Sequence, residues 1–131
     1  MPHSSAQLFK KPVKGRALGN WGEEVAARYL IRKGYQIVVR QYKIRQGEID
    51  LIAQKDEILA FIEVKLRKND SFMRAAEAVT LRKQEKLRMA ASAYCQACQT
   101  ELQPRFDVIE VYAPFGEKTR NLQISHWEDA F

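Results

Sequence analysis

Asp50, Glu63 and Lys65 are the residues whose types and spacing could do chemistry. They lie in the stretch GEIDLIAQKDEILAFIEVKLR, residues 47–67. Two apolar runs, Ile49–Ala53 and Ile58–Leu66, read as strands, yet each carries ionic groups in its middle. Burying an unpaired charge is costly, so such groups need a partner or a purpose. Side chains alternate faces along a strand, so Glu63 and Lys65 share one face while Ile62, Val64 and Leu66 take the other. Asp50 shares its face with Glu48. A hairpin turning at Asp56-Glu57 sets Asp50 opposite Glu63 and Glu48 opposite Lys65. Cross-strand neighbours lie about 5 Å apart. Two carboxylates that close repel unless a cation lies between them. An all-oxygen site of this kind suits Mg²⁺ or Mn²⁺. A lysine beside it can orient a water or stabilise charge on a phosphate in flight. The same spacing also fits a Glu–Lys–Asp salt-bridge cluster on a solvated sheet face, and spacing does not choose between the two.

The elements that must position these residues can be read along the chain. Residues 1–17 are polar and basic and read as a mobile arm, followed by one domain over 18–131. A helical pattern begins after Gly19-Asn20, with Val25, Ala26, Tyr29 and Leu30 on one stripe, and Gly34 is a plausible stop. Glu23 and Glu24 lie in its first turns; either is explained by the helix dipole or by a third carboxylate at the site. YQIVVRQYKI reads as a strand, RQG as a turn, and the two charged strands follow. A second helix is expected from about Arg74 to Cys98. Two further strands, RFDVIEVYA and NLQISHW, complete the order α-β-β-β-α-β-β. That order specifies an α/β domain with a central mixed β-sheet flanked by helices.

The second helix gives an independent clue. Ala76, Val79, Lys83, Leu87, Ala90, Tyr94 and Ala97 follow helical spacing. Lys83 interrupts this apolar stripe, so it either snorkels to water or turns toward an anionic site between helix and sheet. Arg74, Arg82, Lys86 and Arg88 lie elsewhere on the helix and could contact phosphates. Cys95 and Cys98 form a lone C-x-x-C without a second pair, which reads as two ordinary small residues, buried or half-buried.

The chain has 131 residues and a net charge of +6. Basic surface favours nucleic acid or an anionic membrane surface, with plain solubility as the bland alternative. No apolar run is long enough to span a membrane and the N-terminus lacks a signal-peptide core, so a cytoplasmic location is expected. Serine-hydrolase, nucleotide-cradling and haem signals are absent.

Asp50 followed by Glu63-Val64-Lys65 resembles the PD-(D/E)xK nuclease signature. The proline is absent; Gly47-Glu48-Ile49-Asp50 stands instead, the variant seen in RecB-like and Holliday-junction-resolvase-like members. The wider set GNWGEEVAARYL, GY, GEIDLIA, FIEVKLR, AEAVTLRKQEKL and RFDVIEV, in that order over residues 18–131, resembles the YraN-type family of uncharacterised bacterial proteins. The resemblance implies a restriction-endonuclease-like fold. It implies Glu23, Asp50 and Glu63 as ligands of Mg²⁺ or Mn²⁺, with the Val64 carbonyl as a further one, and Lys65 as the catalytic lysine. Lys83 and Gln84 match second-helix positions that point toward the site, with Arg67, Arg74, Arg82 and Lys86 as further nucleic-acid contacts. The function expected is metal-dependent hydrolysis of DNA phosphodiesters, with branched or end structures in repair or recombination as candidate substrates. The alternative is a nucleic-acid-binding module of the same fold that lacks turnover and works in a DNA-processing complex. DNA is the expected partner rather than RNA, with no membrane partner. A protein partner and a homodimer both stay open.

Overall fold

The chain runs as α1 (Ala17–Arg32), β1 (Gln36–Ile44), β2 (Gly47–Lys55), β3 (Ile58–Arg67), α2 (Leu81–Cys98), β4 (Gln103–Tyr112), a 3₁₀ turn (Gly116–Lys118) and β5 (Gln123–Trp127). This is a computed structural model, and it describes residues 17–68 and 79–131. The strands form one mixed sheet in the order β1-β2-β3-β4-β5. β1, β2 and β3 make an antiparallel meander, β4 lies parallel to β3 and β5 returns antiparallel. The α/β architecture and the order α-β-β-β-α-β-β are those expected from the sequence. A parallel neighbour needs a crossover, and α2 is that connection.

Each face of the sheet is covered by one helix, because alternation along the strands supplies an apolar set to both sides. On one side α1 buries Ala26, Ala27 and Leu30 against Leu51, Ala60, Ile62, Ile109 and Val111. On the other, α2 buries Leu87, Ala90, Ala91 and Tyr94 against Ile49, Ile52, Phe61 and Val108.

Several boundaries differ from the expected ones. α1 begins at Ala17, so Gly19-Asn20 lies inside the helix and Ala17 belongs to it, not to the arm. The rest of the expected arm, residues 1–16, lies outside the described residues. α2 begins at Leu81 rather than near Arg74. Thr80 has extended backbone and its Oγ1 accepts the Lys83 N–H at 3.2 Å, a side-chain cap that fixes the start. Val79 is therefore buried core ahead of the helix, and Ala97, expected on the apolar stripe, is exposed near its end. Gln99, in left-handed backbone at φ 52°, closes the helix. Cys95 is half-buried, but Cys98 is exposed; both are free thiols.

One polar cluster lies buried under α1. Asp107, fully buried on β4, accepts from Arg105 Nε at 2.9 Å and from the Asp129 N–H at 3.1 Å, and it bonds His126 Nε2 at 2.8 Å. Burial alone would raise the Asp107 carboxyl; His126, Arg105 and the Asp129 N–H outweigh it and hold it below the usual carboxylate range. A depressed folded-state pKa adds stability above the ordinary carboxylate pKa, and that stability is lost as pH falls through the folded value. We predict that Asp107→Asn costs about 3–5 kcal/mol at neutral pH, because breaking a buried pair leaves an uncompensated charge. Denaturant melts of both proteins should converge below about pH 4, and a pH-independent difference would show that the charge of Asp107 is not what stabilises this cluster.

Candidate metal and phosphate site

The β2–β3 hairpin turns at Asp56-Glu57, with Lys55 paired to Ile58, as the spacing implied. Asp56 takes left-handed backbone at φ 53°, which aspartate tolerates in a tight turn. The ladder runs from that turn to Leu51↔Ile62 and stops one pair short of Asp50 and Glu63. There the alternation of β2 also breaks. Ile49 and Ile52 both pack on the α2 side, while Leu51 and Ala53 pack on the α1 side. Asp50, at the break, fills the opening between the strands: its Oδ2 accepts the Val64 N–H at 2.8 Å. Glu48, expected opposite Lys65, instead pairs across to β1, with Lys43 Nζ 3.7 Å from its carboxylate.

Asp50 and Glu63 do come together: the Glu63 carboxylate is close enough for its charge to raise the Asp50 carboxyl. Glu63 is buried, at 5 % exposure. Burial foremost, and then the Glu63 charge, push the Asp50 carboxyl up to about 8, against the opposing pull of the Val64 N–H. Glu23 adds to the rise, so the α1 carboxylate is near enough to be felt. Glu63 also faces two cations. Lys65 Nζ lies 3.4 Å and Lys83 Nζ 3.7 Å from its Oε2. Lys83 is thus turned inward to an anionic group and not snorkelling away.

The two acids of α1 divide their work. Glu24 pairs with Arg40 at 2.8 Å and Arg28 at 3.1 Å. Glu23 goes to Gln41, whose Nε2 donates to Glu23 Oε1 at 3.0 Å and to Asn20 Oδ1 at 2.6 Å. Gln41 stands in β1 across from Asp50, between the pairs Arg40↔Leu51 and Tyr42↔Ile49, in left-handed backbone at φ 53°. That conformation costs a non-glycine residue on the order of 1–3 kcal/mol and persists where the surroundings impose it. Nothing in the strand pattern QIVVRQYKI marks this residue; only the local conformation reveals it.

The remaining anticipated contacts are dispersed. Gln84 Nε2 donates to the Val79 carbonyl at 2.9 Å, which secures the helix start. Arg67 Nε donates to the buried Glu110 at 3.0 Å. Arg82 and Lys86 are exposed on α2, and Arg74 lies outside the described residues. A cleft of about 340 Å³ opens between the β1–β2 turn and α2, lined by Lys43, Arg45, Gly47, Glu48, Lys83 and Lys86. Lys43 and Arg45 were not singled out in the sequence, where they look like ordinary hairpin charges. Gly47 sets the width of this cleft: a Cβ there would stand 2.7 Å from the Lys86 carbonyl oxygen.

Residues 22–111 match the profile of the uncharacterised protein family UPF0102. The chain belongs to the UPF0102 family. A UPF0102 protein of Caldanaerobacter subterraneus subsp. tengcongensis is 40 % identical over 122 residues, covering 92 % of this chain and 99 % of its own. One from Syntrophomonas wolfei is 40 % identical over 117 residues, covering 88 % and 98 %. One from Symbiobacterium thermophilum is 45 % identical over 97 residues, covering 73 % and 82 %. The matched UPF0102 segment holds Glu23, Asp50, Glu63, Lys65 and Lys83, so every group that converges on the gap lies in the family's shared part.

The donor set fits a hard divalent cation in its chemistry: neighbouring carboxyl oxygens whose mutual repulsion a cation would relieve. It is not a finished cage. Among the described residues no three acidic, histidine or cysteine side chains are grouped to hold a metal ion together, and Glu23 is engaged by Gln41.

A raised carboxyl pKa means the ionised form strains the fold, so Asp50 lowers stability progressively as pH rises from about 4 toward 8. Asparagine keeps an acceptor for the Val64 N–H and donates to Glu63. In metal-free buffer Asp50→Asn should therefore melt higher than wild type by a few degrees at pH 8 and not at pH 4. Asp50→Ala, which leaves the Val64 N–H unsatisfied, should not share the gain. A pairing of Asp50 with the lysines would instead make Asp50→Asn destabilising at pH 8.

Proposed function

We propose that the chain is a divalent-metal-dependent nuclease that hydrolyses DNA phosphodiester bonds. The observation that carries this reading is the convergence of the Asp50–Glu63 carboxyl pair with the ammonium groups of Lys65 and Lys83 in one gap of the sheet. Asp50 and Glu63, with Glu23 beside them, would hold Mg²⁺ or Mn²⁺. When bound, the ion supplies Lewis acidity and a more acidic water. Lys65, on the rigid strand that also carries Glu63, stabilises charge developing on the phosphate or orients the attacking water. Lys83 holds Glu63 from the helix side and leads into the basic cleft, where Lys43, Arg45 and Lys86 would follow the strand backbone. Phosphate contacts of this kind position a nucleic acid without reading its sequence. Among the described residues no helix is long and apolar enough to cross a membrane. A cytoplasmic place of action goes with this reading.

A second reading is a nucleic-acid-binding module of the same fold without turnover. It is favoured by the unfinished ligand cage and by the clamp of Gln41 on Glu23.

Cleavage of duplex, single-stranded and branched DNA in Mg²⁺ and in Mn²⁺ tests the first reading. Lys65→Ala should lower the rate by about 10²–10³ while sparing DNA binding. Arginine should rescue poorly, since its planar fork does not reproduce a compact ammonium. Binding without cleavage by the wild type, in either ion, would leave the second reading. Cleavage that survives Lys65→Ala would remove the assigned chemistry.

The cleft has its own test. Lys43→Ala with Arg45→Ala should weaken DNA binding and make its salt dependence shallower, by about 0.7–0.9 in slope for each phosphate no longer neutralised. An unchanged slope would exclude the cleft from the binding path.

A further inference from the structure

Beyond Lys65 the α2-side face continues into a second polar cluster that the chemistry above does not use. Lys65 is paired in register with Glu110, and Arg67 with Tyr112. Glu110 is only 2 % exposed. One of its oxygens accepts from Arg67 Nε at 3.0 Å and the other from Trp127 Nε1 at 2.8 Å. Trp127 pairs with Val108 on the edge strand β5, which puts its ring on this same face. The indole is held by its N–H at a buried acid, yet 45 % of the residue is exposed to solvent.

A buried ion pair contributes little net stability compared with apolar packing of the same volume. Here it fixes the orientation of a large aromatic surface that the fold leaves open, and it lines up a guanidinium beside it. Pinned, exposed aromatic rings next to cations suit nucleobases, each of which has a π-face, with the adjacent charge matching the phosphate. A base inside a duplex is already stacked on its neighbours and cannot reach such a ring. An unpaired one can.

We propose that Trp127, with Arg67 set by Glu110, is a stacking site for an unpaired nucleotide of a DNA strand whose backbone passes the Lys65–Glu63 site. This deepens the nuclease reading and rests on it for the strand's path: it assigns single-stranded or frayed DNA, not continuous duplex, as the substrate class.

The test is made without divalent ion, so that binding is read apart from cleavage. A Trp21→Phe protein leaves Trp127 as the lone tryptophan of the chain. Its emission should change saturably on titration with an oligothymidylate and much less with a blunt duplex of equal length. Trp127→Ala should weaken oligothymidylate binding about tenfold or more, with duplex binding within twofold of wild type; Trp127→Phe, which keeps a π-face, should retain most of the affinity. Emission that does not respond at saturation would overturn the proposal, as would equal oligothymidylate affinity for wild type and Trp127→Ala, or no binding by the wild type at all. The stacking site stands if these expectations hold while the cleavage assays are negative, in which case only the catalytic reading fails.

Discussion

The candidate site depends on one hydrogen bond, from the Val64 N–H to the Asp50 carboxyl. A strand N–H inside a sheet must find an acceptor, and usually that acceptor is the neighbouring backbone. Here a side chain takes the part, so β2 is free to leave β3 after Leu51↔Ile62 without orphaning a donor. The resulting gap lets groups from opposite faces approach the same acid pair. Lys83 comes from the helix on one side and Glu23 from the helix on the other, with the sheet between them elsewhere. The same bond accounts for the electrostatics, because it draws Asp50 into the interior beside Glu63 and only partly offsets the cost.

The three acidic centres show what satisfaction means in such a setting. Asp107 is surrounded by an arginine, a histidine and a backbone N–H, and its carboxyl is held low. Glu110 has a donor for each oxygen. Asp50 has one backbone donor and an acidic neighbour, and its carboxyl is pushed up to about 8. The first two centres behave as structural polar networks, rigid because every oxygen is engaged. At the third the Asp50 carboxyl stays raised although Lys65 and Lys83 face its neighbour Glu63. The strained backbone of Gln41 lies against that third centre and not against the others.

The sheet and the hairpin register were legible because alternation and a two-residue turn leave few options. That register brought Asp50 toward Glu63, but it did not show the end of the ladder before them or the turn of Glu48 to Lys43. The start of α2 was missed because Val79 continues the helical stripe arithmetically, while Thr80, a capping residue, overrides it. Periodicity alone did not tell Glu23 from Glu24, since consecutive helix residues differ by about 100° and nothing in the pattern shows which side the strands occupy; the resemblance, not the helix pattern, singled out Glu23. Gln41, Trp127 and the Lys43–Arg45 side of the cleft were invisible for a shared reason. Their roles arise from a ladder break, an edge strand and a turn packed against a helix, and none of these has a periodicity to detect.

Parallel pairing of β3 with β4 also imposes an order in time. Asp50 and Glu63 belong to one short hairpin, whose ends close quickly and at small entropic cost. The β3–β4 ladder joins residues as distant as Ile58 and Gln103, and it must wait for the crossover through α2. On loop-closure grounds the two acids are expected to come together before Lys83 docks over them and before Glu110 and Trp127 reach the neighbouring strand. Lys65 travels with the hairpin and lies beside Glu63 from the start, so docking of α2 adds the second cation, Lys83, and not the first.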